Sequence, residues 1–202
     1  MKGLIFDFGG VLMRTVDMTP RRLWEARFGL PEWGLAKLVF DNPVARKATV
    51  GMAEKSDVWN FVGAKLRLSD KELVALQRDF WSGDQIDVAL TQFVGKQLGR
   101  CRTALLSNAW PGAREFFQSF SELSVFETMV VSAEECVAKP NSEIYLRTLA
   151  RIGVTSDQTM FVDDVAENVL AARSLGMEGL VFESTEQTLI ALCEWLDGSV
   201  TT

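Results

Sequence analysis

The stretch GLIFDFGGVL, residues 3–12, frames the reading of the whole chain. Leu4, Ile5 and Phe6 run together without polar alternation, which is the pattern of a strand buried on both faces. Asp7 follows directly, and two glycines, Gly9 and Gly10, come next. A carboxylate at the end of a buried strand needs a partner, because an unpaired buried charge is strongly unfavourable. Glycines at that point let the backbone approach a bound group closely.

Working outward, four more short apolar runs read as buried strands: Thr103–Ser107, Thr128–Val131, Thr159–Val162 and Gly179–Phe182, after a first at Gly3–Phe8. Helical patterns separate the last four. In NSEIYLRTLARIG (residues 141–153), Asn141 is the expected N-cap and Gly153 the stop. AENVLAARSLG ends at Gly176 in the same way, and Ser184 with Gln187 forms an expected capping box. Repeated β-α units predict a doubly wound parallel sheet of the Rossmann-like α/β class. Residues 14 to about 86 contain no good strand and carry helical signals instead, including Ser69-x-x-Glu72. The expected organisation is a core of residues 1–14 and 87–202 with a helical domain, 15–86, inserted after the first strand. Four of the six tryptophans fall in the insertion. They are expected to fill a small helical core, with a minority lining a pocket that faces the sheet.

Composition excludes several classes. The chain of 202 residues has no histidine, which removes Ser-His-Asp and Cys-His chemistry and every His-ligated metal site. Cys101, Cys136 and Cys193 are too scattered for a disulfide framework or a zinc site, and each is expected to be a buried apolar residue. The net charge of −6 and the absence of a basic block argue against a nucleic-acid partner. No apolar run is long enough to cross a membrane. With no signal-peptide pattern at the N-terminus, the expected location is the cytoplasm. The sequence leaves monomer and homodimer both open.

Open parallel sheets bind ligands beyond the carboxyl ends of their strands. Asp7, then Ser107 and Asn108, then Lys139, then Asp163 and Asp164 all fall at or just after such ends. Each alone has an ordinary explanation as a cap, a turn residue or a surface charge. Together they assemble three carboxylates, a cation and neutral donors on one edge. Carboxylates held close raise one another's pKa unless a cation intervenes. Mg²⁺ is the hard, oxygen-seeking cation that suits such a set and pairs with a substrate phosphate. The constellation fits a phosphate in line with Asp7 as nucleophile.

In order and spacing, FDFGGVL, LLSNAW, AKPNSEIY and FVDDVAENVLAA resemble the four motifs of the haloacid dehalogenase superfamily of hydrolases. The likeness spans nearly the whole chain, with the insertion in the place of that family's small helical cap. It is similar to the branch containing phosphatases of sugar phosphates, including the glucose-1-phosphate type. The resemblance implies a Mg²⁺-dependent phosphatase of a small phosphorylated metabolite, working through an aspartyl-phosphate. By that likeness Asp7 is the nucleophile and a metal ligand, and the Gly9 carbonyl is a second ligand. Ser107 and Asn108 bind the phosphoryl group, and Lys139 steadies the nucleophile and the phosphoryl charge. Asp163 and Asp164 bind metal, Asp164 more directly, with Asn168 in support. Arg14, Trp24, Arg46 and Lys47 are candidate substrate contacts.

The pattern departs from the family at Gly9, where phosphatases of this kind carry a second Asp as general acid. Two alternatives stand beside the phosphatase reading. A 2-haloacid dehalogenase shares the aspartate nucleophile but needs no metal, and the paired acids count against it. A non-catalytic binding protein on the same fold would have no reason to keep all the other positions.

Overall fold

The computed structural model describes residues 1–198. The chain opens with β1 (Lys2–Phe6) and β2 (Met13–Thr15). Five helices follow: α1 (Thr19–Phe28), α2 (Gly34–Phe40), α3 (Pro43–Thr49), α4 (Lys55–Leu66) and α5 (Asp70–Trp81). Then come β3 (Asp84–Ile86), α6 (Val88–Lys96), β4 (Cys101–Ser107), α7 (Ala113–Gln118), β5 (Thr128–Val131), α8 (Ser132–Glu135) and α9 (Ser142–Ile152). The chain closes with β6 (Thr159–Asp163), α10 (Ala166–Ser174), β7 (Glu178–Val181) and α11 (Thr185–Asp197).

The main sheet is parallel throughout, in the order β5-β4-β1-β6-β7. Strand β1 lies at its centre. Leu4, Ile5 and Phe6 alternate between two cores, which is why none of these three is polar. Leu4 and Phe6 pack on one face with Leu90, Val94, Leu192 and Trp195 from α6 and α11. Ile5 packs on the other with Ile144, Tyr145, Leu149 and Ala172 from α9 and α10. This is the doubly wound α/β arrangement expected from the alternating strand and helix patterns.

Caps follow local chemistry. Asn141 accepts from the Glu143 N–H at 2.9 Å, and Gly153 ends α9 at φ 68. Gly176, just past α10, has φ 86. Ser184 accepts from the Gln187 N–H at 3.3 Å, the forward half of the expected capping box. Ser69 and Glu72 form the full reciprocal box ahead of α5.

Two expectations need correction, and a third is refined. The insertion is not free of strands: β2 and β3 pair antiparallel, Arg14 opposite Gln85, where the chain leaves and re-enters the core. These strands are three residues each, with one apolar residue apiece (Met13, Ile86), so no apolar run announces them. Cys101 is buried, but Cys136 and Cys193 are exposed. Cys136 sits in the left-handed C-cap of α8, and Cys193 lies on the outer side of α11. The tryptophans of the helical unit divide their labour. Trp24 and Trp59 are buried among Leu35, Val39 and Phe80, whereas Trp33 and Trp81 face a cavity beside the sheet.

The Ser69–Glu72 box can be tested. The Ser69 N–H and hydroxyl, with Arg27 beside them, hold the Glu72 carboxyl down at about 2. Ser69→Ala should lower stability by ~1 kcal/mol in chemical denaturation. Because the folded-state pKa of Glu72 is depressed, its contribution is present above the free value near 4.5 and disappears as the pH falls through about 2. The stability gap between wild type and Glu72→Gln should therefore narrow from pH 4.5 downward; a gap that widens would refute the assignment.

Candidate active site

The parallel register brings the ends of β4, β1 and β6 level. Phe6 pairs with Leu105 on one side and Val162 on the other. Asp7 therefore emerges one residue beyond β1, where its N–H donates to Val162 O at 2.8 Å. Ser107 is the last residue of β4 and Asp163 the last of β6. Lys139 reaches the same edge from the loop before α9. Its Nζ donates to Asp7 Oδ1 at 2.7 Å, Asp163 Oδ2 at 2.6 Å and Leu106 O at 3.0 Å.

Two amides hold these charges in place. Asn108 Nδ2 donates to the Lys139 carbonyl at 2.9 Å, while Asn108 Oδ1 accepts from the Lys139 N–H at 2.8 Å. Asn168 Nδ2 donates to both Asp163 oxygens at 3.1 Å, and its carbonyl accepts from the buried Tyr145 hydroxyl at 2.9 Å. Asp163 Oδ1 also accepts from the Val165 N–H at 2.8 Å. Asp163 is thus fully buried with both oxygens committed, whereas Asp164 is exposed and makes no ion pair among the described residues.

Oxygens of Asp7, Asp163 and Asp164 lie within 4.8 Å of one another. Burial pushes the Asp7 carboxyl up to about 6; Lys139 pulls against that rise and Asp163 adds to it. Asp164, exposed on one side but with its carboxylate against the Gly10 backbone, is raised too, by partial desolvation first and by Asp163 second. Three acids facing one ammonium leave an excess of negative charge. An all-oxygen donor set of that kind fits a hard divalent cation such as Mg²⁺. The two glycines differ in their reasons. A Cβ on Gly10, at φ 83, would lie 2.2 Å from Asp164 Oδ2, so glycine is required there for the acid to lie against the backbone. A Cβ on Gly9 would meet nothing within 4 Å. The side chain at position 9 is therefore absent without any steric demand for its absence.

Beside this edge opens a cavity of about 590 Å³, with Gly9, Ser107 and Asp164 in its lining. Other sequence candidates are placed differently from expectation. The Asn108 side chain is engaged by the Lys139 backbone, so it positions the lysine instead of facing a ligand. Arg14 lines the cavity, but its guanidinium is held by Asp87 at 2.7 Å and Thr185 at 3.1 Å and lies over Phe182. Trp24 is buried, its indole N–H donating to Asp79 at 3.0 Å. Arg46 is exposed and paired with Asp41, and Lys47 is exposed; neither lines the cavity. Sequence reasoning missed the buried Arg21–Asp84 pair at 2.8 Å and the aromatic walls, which come from scattered helix ends and loops with no shared motif.

A doubly wound sheet with a polar cluster at its carboxyl edge is the frame on which Rossmann-like enzymes bind their ligands. Residues 1–176 match the haloacid dehalogenase-like hydrolases, and the chain belongs to that family. It is 27% identical over 194 residues to the sesquiterpene phosphatase astK of Aspergillus oryzae, covering 95% of this chain and 94% of the relative. Among solved structures, a haloacid dehalogenase family enzyme of Bacteroides thetaiotaomicron, in complex with magnesium and inorganic phosphate, superposes with a TM-score of 0.72 at 21% identity, covering 93% of this chain and 98% of that one. An L-2-haloacid dehalogenase of Xanthobacter autotrophicus gives a TM-score of 0.64 at 19% identity, covering 100% and 84%. These two likenesses establish the shared fold. No described helix is long and apolar enough to cross a membrane.

The acid cluster predicts a metal-linked gain in stability. Mg²⁺ at a hundredfold excess over its Kd should stabilise the folded chain by ~2.7 kcal/mol, raising Tm by roughly 5–10 °C for a chain of this size. Asp164→Asn should lose most of that shift in a thermal melt. An equal shift in the variant would move the cation elsewhere.

Proposed function

We propose that the protein is a Mg²⁺-dependent phosphatase of a small phosphorylated metabolite, with Asp7 as nucleophile. The observation that carries this reading is the Lys139 ammonium shared between Asp7 and Asp163 beside a third acid, Asp164, which lines the cavity. The likeness to a phosphatase over nearly the full length supports it. A bound Mg²⁺ would be held by Asp7, Asp163, Asp164 and the Gly9 carbonyl, and would offset the charge of the acids and of the phosphoryl oxygens.

The residues divide the chemistry among themselves. Lys139 holds Asp7 Oδ1, leaving Oδ2 outside that ion pair and able to attack phosphorus. The bond from Oδ2 to phosphorus forms as the bond to the leaving oxygen breaks, and the leaving oxygen departs with its electron pair. Ser107 offers its hydroxyl to a phosphoryl oxygen; it makes no hydrogen bond through that hydroxyl among the described residues. Lys139, fixed from behind by Asn108, keeps a positive charge against the phosphoryl group. Water then attacks the phosphorus of the aspartyl-phosphate as the P–Oδ2 bond breaks and its electron pair returns to Asp7; the proton that water loses balances the one the departed oxygen takes from solvent. The dehalogenase alternative is poorly served by three clustered acids, since that chemistry needs no cation.

Gly9 leaves the departing oxygen without the family's usual acid. Positioned proton transfer is worth about 10²–10⁴ in rate. The enzyme is therefore expected to prefer leaving groups that depart without a proton, such as aryl, acyl, anomeric or anhydride phosphates. Turnover of p-nitrophenyl phosphate should require Mg²⁺ and vanish in Asp7→Asn. Across leaving groups of graded pKa, the wild-type rate should fall steeply as the leaving oxygen becomes more basic; a flat response would mean that another donor acts. The open space at position 9 accommodates a side chain, so Gly9→Asp should flatten the slope by raising the rate on alkyl phosphates about a hundredfold.

A further inference from the structure

We infer that the phosphate carried into this site is attached to a large apolar group whose leaving oxygen departs without a proton: the substrate is a hydrocarbon-bearing aryl phosphate or diphosphate, not a sugar or nucleotide phosphate. This rests on the phosphatase reading above and adds what the cavity selects.

The cavity has two unlike ends. Gly9, Ser107 and Asp164 form the polar one. The rest of the wall is dominated by Phe8, Trp33, Phe40, Trp81, Trp110 and Phe116. Single exposed aromatics are ordinary on a protein surface, but a contiguous set is not. Trp33 is 52% exposed, Phe40 48% and Phe116 39%, and all three face the same space. The rings form connected groups. Phe40 lies 5.6 Å from Trp110 and 5.9 Å from Trp81, and Phe8 lies 6.2 Å from Phe116. Phe40 and Trp81 belong to the helical unit, whereas Trp110 and Phe116 follow β4, so both sides of the cavity are apolar.

The polar groups along the wall are already occupied. Arg21 donates to both Asp84 oxygens, at 2.8 and 3.0 Å, and Thr15 donates to Asp84 at 2.6 Å. Arg14 is held by Asp87. Lys55 is the lining cation with no ion pair among the described residues, and it is exposed. A sugar or a base would bring hydroxyls or ring nitrogens that need free partners when desolvated. The walls offer few. An apolar group needs none and gains from covering the exposed rings. Pockets of this size, mostly apolar with a few convergent polar groups at one end, suit a ligand of matching polarity.

Binding to the inert Asp7→Asn protein in Mg²⁺ tests this without turnover. Titration with butyl, hexyl and octyl phosphate, followed by tryptophan fluorescence or calorimetry, should show Kd falling about fourfold for each added methylene. Glucose 6-phosphate should bind no more tightly than inorganic phosphate. Phe40→Gln and Phe116→Gln, on opposite walls and both already half-exposed, should each weaken octyl phosphate about fivefold or more and leave inorganic phosphate unchanged. A flat alkyl series, or glucose 6-phosphate matching octyl phosphate, overturns the inference. Wild-type turnover of p-nitrophenyl phosphate separates the two readings. A flat series with turnover removes only the apolar group, a steep series without turnover removes only the phosphatase, and a flat series without turnover removes both.

Discussion

One ammonium group organises this molecule. Lys139 Nζ joins an acid following β1, an acid ending β6 and a carbonyl of β4, so three neighbouring strands converge on a single buried charge. Taking that group out of water is unfavourable unless every proton finds an acceptor. Here the three acceptors are fixed by the sheet register itself. The surrounding amides make sense in that light: Asn108 fixes the lysine's backbone and Asn168 fixes Asp163. The negative excess that remains falls on the exposed side, at Asp164, where a cation and a phosphate can reach it.

The site therefore combines two environments that rarely share a boundary. On one side is a rigid cluster in which nearly every polar atom is assigned. On the other are aromatic rings that the folded chain leaves partly in water. Chemistry and selection are carried by different parts of the sequence. In the proposed function, the sheet edge supplies groups that act on a phosphoryl centre whatever it is attached to. The helical unit and the segment after β4 supply the surface that meets the attachment.

How much of this was legible follows from periodicity. The three central strands are apolar runs buried on both faces, the edge strands β5 and β7 are partly buried, and the sequence segments that mark all five overlap the observed strands within two residues. Asp7, Ser107, Lys139 and the Asp163–Asp164 pair were legible as a group because parallel sheets present their strand ends together. The strands β2 and β3 were not, because three residues with one apolar side chain carry no pattern. The cavity wall was hidden for another reason. Phe80 and Trp81 are adjacent and both aromatic, yet about 100° apart around α5; one is fully buried in the helical core and the other lines the cavity. Composition cannot say which ring goes where until the helices are packed. Arg14 misled in the opposite direction: its charge is visible in the sequence, but its partner Asp87 lies 73 positions away.

The paired strands β2 and β3 have a mechanical meaning. The chain leaves the core and returns to it side by side, with the Gly83 carbonyl accepting from the Val16 and Asp17 N–H groups and the Arg21–Asp84 pair bracing α1 against β3. A narrow ladder of this sort resists shear along its length and yields most readily by bending across its face. Such a flexure would carry one aromatic wall away from the other as a body; Asp7, Lys139 and Asp163 lie outside the ladder, and the turn at residues 8–10 that follows Asp7 is bonded to Met13 at its base. The door and the anvil are thus distinct parts joined at Met13, and bending of the ladder beyond that residue would widen the opening for the apolar guest proposed above.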